Sequence, residues 1–334
     1  MRVAGISRSS GAERRMAQPA IQIESLSHRY EKRDALRNVS FAVEPAEIFG
    51  LLGPNGSGKT TLFRILSTLM LPTSGRALVC GMDVVRESHQ VRQQTGVVFQ
   101  AASIDVKLTA TENLWHQGHL YGMRGRLLRE RIAAMLSRVG LTERANERAE
   151  TFSGGMQRRL ELAKGLMHQP AVLLLDEPST GLDPGARIDL WRYLKLLRDE
   201  EGISALVTTH LMEEADRCDR LAILNEGELV ALGTPADLKS AIGGDVIVVE
   251  SGNPEALLGK IKSRFNITPT LLDGKLRFEQ AGGHRFSTEL VEAFPGEIDS
   301  ISVSKPSVED VFIQRTGHRF WSETARDPAA APYN

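Results

Sequence analysis

The sequence predicts an α/β protein built on a parallel core sheet, with an antiparallel flank, a helical segment and a second, smaller α+β domain. Three observations carry that prediction. Short apolar runs at 48–52, 96–99, 171–175, 203–208 and 220–224 have strand length and little polar alternation, as strands buried on both faces do. Between several of them lie longer segments whose apolar residues recur at helical spacing. Gly243-Gly244 then marks a break in composition. Beyond it the pattern reads strand at 245–250, helix at 254–264, strand at 275–279, helix at 285–294 and strand at 298–304, which suggests a ferredoxin-like unit.

Taken in order, segments 21–27 and 39–43 alternate apolar and polar residues and form the antiparallel flank. The run 48–52 delivers the chain into Gly53-Pro54-Asn55-Gly56-Ser57-Gly58-Lys59-Thr60. A helix is expected over 59–70, with Leu62, Ile65, Leu66 and Leu69 on one face. Segment 96–99 is a strand ending at Gln100. From 109 to 148 Leu114, Leu120, Leu127, Leu128, Ile132, Met135, Leu136 and Val139 recur at helix spacings. Ser153-Gly154-Gly155-Met156-Gln157 opens a helix over 158–167, and the strand 171–175 runs into Asp176-Glu177. Residues 225–228 make a hairpin turn into 229–232. The expected organisation is a leader at 1–18, a main domain at 19–242 with its helical part at about 105–165, an accessory domain at 243–317 and a tail at 318–334. Leader and tail read as disordered, and the leader lacks the apolar stretch of a secretory signal.

Composition narrows the function classes. The 334 residues carry a net charge of −1 with 41% hydrophobic and 25% charged residues, so no basic field favours nucleic acid as a partner. No apolar run approaches the roughly 18–20 residues that cross a bilayer, so a membrane role requires the span of another chain. Cys80 and Cys218 have neither metal-ligand nor disulfide spacing. No repeat of the glycine-loop unit occurs.

The glycine loop fits the G-x-x-x-x-G-K-[ST] phosphate loop, and its place between a strand and a helix is the context that motif needs. Its backbone N–H groups and the helix N-terminus bind phosphate. Lys59 would reach the β- and γ-phosphates and Thr60 would bind Mg²⁺, with Thr61 next in the helix; the nucleotide and cation expected are ATP and Mg²⁺. Asp176, at a buried strand's C-terminal end, can hold Mg²⁺ through water, and Glu177 beside it is placed as a general base. By themselves these carboxylates could instead cap the next helix. Ser153 could likewise be a simple N-cap, or Ser153-Gly154-Gly155 could be a second anion site.

The loop, the serine-glycine-glycine motif and the strand-end carboxylates, in this order, resemble the ATP-binding cassette (ABC) ATPases: P-loop NTPases with a RecA-like core. The resemblance runs from about residue 21 to 238. It implies that Ser153, Gly154, Gly155, Met156 and Gln157 form the signature motif, contacting ATP held by the other protomer of a homodimer. Phe152 and Met156 depart from the commoner leucine and glutamine. It also implies that Gln100 is the Q-loop residue near Mg²⁺ and the attacking water. Asp183 corresponds to the D-loop aspartate, His210 to the switch histidine and Tyr30 to the aromatic that stacks on adenine. Pro306 to Gly317 resembles the ending of daunorubicin-resistance-type ATP-binding subunits. That ending implies a peripheral subunit on the cytoplasmic face of the inner membrane, pairing with a separate ABC-2 type permease to export a drug-like, lipid-like or polysaccharide substrate. The permease would meet residues 101–120, with Trp115, His116 and Tyr121 contributing. Two rival readings are a cassette that transmits force to a membrane partner without moving solute, and an ABC protein acting on nucleic acid or ribosomes.

Overall fold

The computed structural model describes residues 18–31 and 33–317, so the leader and tail expected from the sequence lie, Gln18 aside, outside the described residues. The chain divides into two compact units between Leu229 and Val230, ahead of the glycine pair.

The first unit begins with β1 (Ile21–Tyr30) and β2 (Arg33–Val43), followed by β3 (Ile48–Leu52) and α1 (Lys59–Leu66). Next come β4 (Ser74–Val79), β5 (Met82–Asp83), α2 (Ser88–Gln94) and β6 (Thr95–Val98). The helical part consists of α3 (Ala110–Leu120), α4 (Gly125–Arg138) and α5 (Gly154–Leu166). The chain then returns through β7 (Val172–Asp176), α6 (Pro184–Glu201), β8 (Ser204–Thr209), α7 (Met212–Ala215) and β9 (Arg220–Asn225) to β10 (Glu228–Gly233), within which the division falls.

Parallel strands stand in the order β9-β3-β8-β7-β6, beside an antiparallel sheet ordered β2-β1-β4-β5. Strands β3 and β7 are buried at every position because both sheet faces are covered. Alternate residues go to opposite sides. Leu173 and Leu175 join Trp191, Leu160 and Leu194 on the helical side, while Val172 and Leu174 join Phe49, Leu51 and Phe63 under the antiparallel sheet. Phe41 and Phe49 stack there with centroids 5.0 Å apart.

One expectation needs correction. The helix expected over 59–70 ends at Leu66, because Thr68 turns left-handed at φ 63°, and Leu69 is 63% exposed instead of core-facing. Helix α6 has local signals at both ends: Asp183 caps it, Pro184 starts it and Gly202 closes it in the left-handed region.

The second unit contains α8 (Pro235–Ser240), β11 (Asp245–Glu250), α9 (Pro254–Phe265), β12 (Thr270–Leu272), β13 (Lys275–Gln280), α10 (Gly283–Ala293), β14 (Ser300–Ser304) and α11 (Val308–Thr316). Its sheet, ordered β12-β13-β11-β14, is antiparallel throughout, a ferredoxin-like βαββαβ arrangement. Ile247, Val249, Leu276 and Phe278 meet Leu257, Ile261 and Leu290 of the helices on one face. On the other, buried Arg277 binds Asp310 of α11 at 3.0 Å and Glu279 at 2.7 Å. Helix α8 contacts α11, which is why the division falls before it.

Candidate functional site

Register places the site. Leu52 of β3 pairs with Thr209 of β8, and Thr208 pairs with Asp176 of β7, so three strands end level at their C-terminal edge. Ligands meet parallel sheets at that edge.

Gly53 leaves β3 buried, followed by half-buried Pro54 and exposed Asn55 and Gly56. Gly58 precedes α1 at φ 108°, where a Cβ would lie 2.5 Å from the Ala35 carbonyl oxygen; only glycine fits. Helix α1 has no side-chain cap, so its first N–H groups face the loop concavity. The Ser57 Oγ is buried without a protein partner. These donors suit a phosphate. The Lys59 ammonium donates to the carbonyls of Gly53 at 2.6 Å and Pro54 at 3.0 Å. Burial lowers its pKa, while the charges of Glu177 and Asp176 oppose that shift. Thr60 is exposed at the helix start and Thr61 is buried behind it.

One threonine ties the Asp176 side chain to the backbone of Glu177. Thr208 Oγ1 donates to Asp176 Oδ1 at 2.6 Å and accepts the Glu177 N–H at 2.9 Å. Burial pushes the Asp176 carboxyl up, and the Thr208 hydroxyl works against that shift. Glu177 sits at φ 45°, a left-handed backbone that is strained for a side chain of this size. That turn aims Glu177 Oε2 at three groups: His210 Nδ1 at 3.0 Å, Gln100 Nε2 at 3.2 Å and Thr180 Oγ1 at 3.4 Å. His210 is held by the next turn, where Thr209 Oγ1 donates to buried Glu214 at 2.6 Å and accepts the Leu211 N–H at 3.0 Å.

The structure thus brings together Lys59, Asp176, Glu177, Gln100 and His210. The signature residues form a different cluster. Ser153 caps α5, accepting the Met156 N–H at 3.3 Å, and Gln157 Nε2 donates to the Ala149 carbonyl at 3.0 Å. Asp183 caps α6 through the Ala186 N–H at 2.9 Å. Gly155 allows the two helices to approach, since a Cβ there would lie 2.9 Å from that of Ala186. Ser153, Gly155, Met156, Asp183 and Tyr193 line one cavity of about 580 Å³. Gly154 stands exposed at the first helical position of α5.

Tyr30 ends β1, 40% exposed as a residue, with its hydroxyl 3.4 Å from Thr61 Oγ1. Trp115 is half-exposed beside His116 and His119. Tyr121 stacks on His168 and lines a separate groove of about 270 Å³ with Phe99, Ser103 and Gln117. Three residues that the sequence reading did not select also belong to the site. Thr208 links the Asp176 carboxylate to the Glu177 backbone N–H, Thr180 touches Glu177, and Arg33 donates to the Gly56 carbonyl at 2.6 Å. Only Thr180 had a local signal, its place in the segment after Glu177.

A phosphate loop after a central strand, with acidic residues at the end of a neighbouring parallel strand, defines a phosphate-loop nucleoside triphosphatase. The chain belongs to the ABC transporter family, whose model, described as ABC transporter, matches residues 36–180. It is 38% identical over 306 residues to the linearmycin resistance ATP-binding protein LnrL of Bacillus subtilis (strain 168), covering 89% of this chain and 98% of that protein. It is 36% identical over 319 residues to the daunorubicin resistance ATP-binding protein DrrA2 of Streptomyces coeruleorubidus, covering 93% and 99%. Among solved structures, a dimeric post-hydrolysis state of the ATP-binding cassette MJ0796 bound to ADP and Pi superposes with a TM-score of 0.59 at 27% identity, covering 64% of this chain and 98% of that one. The chain is an ATP-hydrolysing cassette of this family, whose ATP-binding subunits dimerise and work with transmembrane partners. No described helix is long and apolar enough to cross a membrane.

Proposed function

We propose that this cassette hydrolyses ATP with Glu177 as general base and drives export through a separate ABC-2 type permease at the cytoplasmic face of the membrane. The convergence of Gln100, Thr180 and His210 on one Glu177 oxygen carries the hydrolytic reading. The loop N–H groups and Lys59 hold the β- and γ-phosphates. Tyr30, an exposed residue, offers its ring to adenine. Glu177 takes a proton from the attacking water as its oxygen bonds to the γ-phosphorus and the bond to the ADP oxygen breaks. Thr60, Asp176 and the side-chain amide oxygen of Gln100 are oxygen donors suited to Mg²⁺, which when bound neutralises phosphate charge. His210 orients Glu177 and senses the γ-phosphate. The signature residues 153–157 and Asp183 complete the site of a second protomer in a homodimer.

The names of the resistance proteins support a drug-like cargo. The groove at Tyr121 and the exposed Trp115 support a permease contact at 101–120. The accessory domain at 243–317 supports dimerisation or coupling. The decisive experiment replaces Glu177 with Gln. Steady-state phosphate release should fall at least about a hundredfold with ATP affinity retained. Turnover within a few-fold of wild type would remove Glu177 from the role of base. Failure of any multi-span permease to co-purify with the protein would remove the export reading.

A further inference from the structure

Helix α5 carries a row of charged residues that the proposed hydrolytic mechanism does not use. Arg158, Glu161 and Lys164 stand three residues apart on one helix face, and the side chains of Arg158 and Glu161 are only 8% and 3% exposed. The pair is closed at 2.8 Å. A buried ion pair costs desolvation that an apolar pair of similar volume avoids, so stability alone does not explain it.

Its remaining hydrogen-bonding capacity goes to one loop. Arg158 Nη1 donates to the Phe99 carbonyl at 2.9 Å and Nη2 to the Gln100 carbonyl at 3.5 Å. Glu161 Oε1 accepts the Ser103 N–H at 2.6 Å, and the Lys164 ammonium donates to the Ser103 carbonyl. Burial pushes the Glu161 carboxyl up, while the Ser103 N–H and Arg158 hold it down. The backbone is therefore pinned on both sides of Gln100, whose side chain reaches Glu177.

We propose that Arg158, Glu161 and Lys164 form an ionic clamp by which the helix opened by the signature motif positions Gln100 against Glu177 of the same chain. They are positioning residues, acting on Gln100 through the loop backbone at Phe99, Gln100 and Ser103. The clamp rests on the reading of Gln100 and Glu177 given above. It makes a displacement of α5 felt at the general base through the loop backbone.

The test uses the full-length protein, with phosphate release measured over a range of Mg-ATP concentrations beside thermal unfolding. Glu161→Gln keeps the shape and removes the charge, so kcat should fall about ten- to a hundredfold, as for a misplaced reacting group, with KM within about twofold. The double variant Arg158→Met with Glu161→Met leaves no unpaired buried charge and should unfold near the wild-type temperature. Its kcat should nevertheless stay low, because only the Lys164 contact to the Ser103 carbonyl still holds the loop. Recovery of kcat together with thermal stability would reduce the pair to a packing element and overturn the proposal. Arg158→Lys guards against a double variant that does not fold. Its single ammonium cannot serve Phe99, Gln100 and Glu161 as the guanidinium fork does, so kcat should drop at least about tenfold. A kcat within about twofold of wild type would also overturn the clamp. Glu177→Gln, measured alongside, separates the failures. If it retains turnover, the reading of Glu177 falls and takes the clamp with it. If it is inactive while the clamp variants are unimpaired, only the clamp falls.

Discussion

The strand-end cluster around Glu177 and the helix-start cluster around Ser153 differ in what one chain supplies. Around Glu177, side chains from three segments converge on one carboxylate oxygen, a buried lysine lies close by, and the backbone is strained to aim the group. Around Ser153, each contact has a local structural purpose: a cap on α5, a cap on α6 and a glycine that lets two helices meet. The first cluster has the parts of a reaction centre within one chain. The second has an exposed helix N-terminus with surplus N–H groups and nothing of its own to act on, the form expected of half a binding site.

Mutations should affect the two clusters in opposite ways. The largest effect is expected at Lys59. Lys59→Ala removes a buried ammonium that makes charge-assisted contacts, so ATP affinity should weaken about ten- to a hundredfold. Fluorescence titration of the nucleotide measures this, and unchanged affinity would place the phosphates elsewhere. A smaller effect is expected at Ser153. Ser153→Ala removes an N-cap and should lower stability by about 1 kcal/mol. It should leave ATP affinity of the isolated protomer intact while reducing turnover. Loss of affinity in the protomer equal to that of Lys59→Ala would make the two clusters a single site.

The same contrast explains what could be read from the sequence. The phosphate loop, Asp176-Glu177 and the signature motif were legible because each is a run of neighbouring residues in a recognisable strand or helix setting. So was the ferredoxin-like pattern of the second unit, except β12, whose three residues Thr270–Leu272 are too few to show a period. Helix α6 carried clear local signals in its cap Asp183, its first residue Pro184 and its closing Gly202. Thr208 gave no local signal, because its role comes from lying across the β7–β8 pairing from Asp176, 32 residues away in sequence. Arg158 and Glu161 look like surface charges of an ordinary helix. Only the packing of a loop 58 residues from Glu161 buries them and gives them partners.

The central claim is that an active site needs the strand-end cluster of one protomer and the helix-start cluster of another. Mixing two inactive variants tests it most directly. Glu177→Gln lacks the base and Gly154→Asp places a charge on the exposed helix start, so each alone should be nearly inactive in phosphate release. A mixed dimer has one complete site, formed from the strand-end cluster of the Gly154→Asp chain and the helix start of the Glu177→Gln chain. Random pairing at equal concentrations should restore roughly a quarter of wild-type turnover, with a maximum at the equal ratio. Activity that stays at the sum of the two separate rates at every ratio would contradict the shared site.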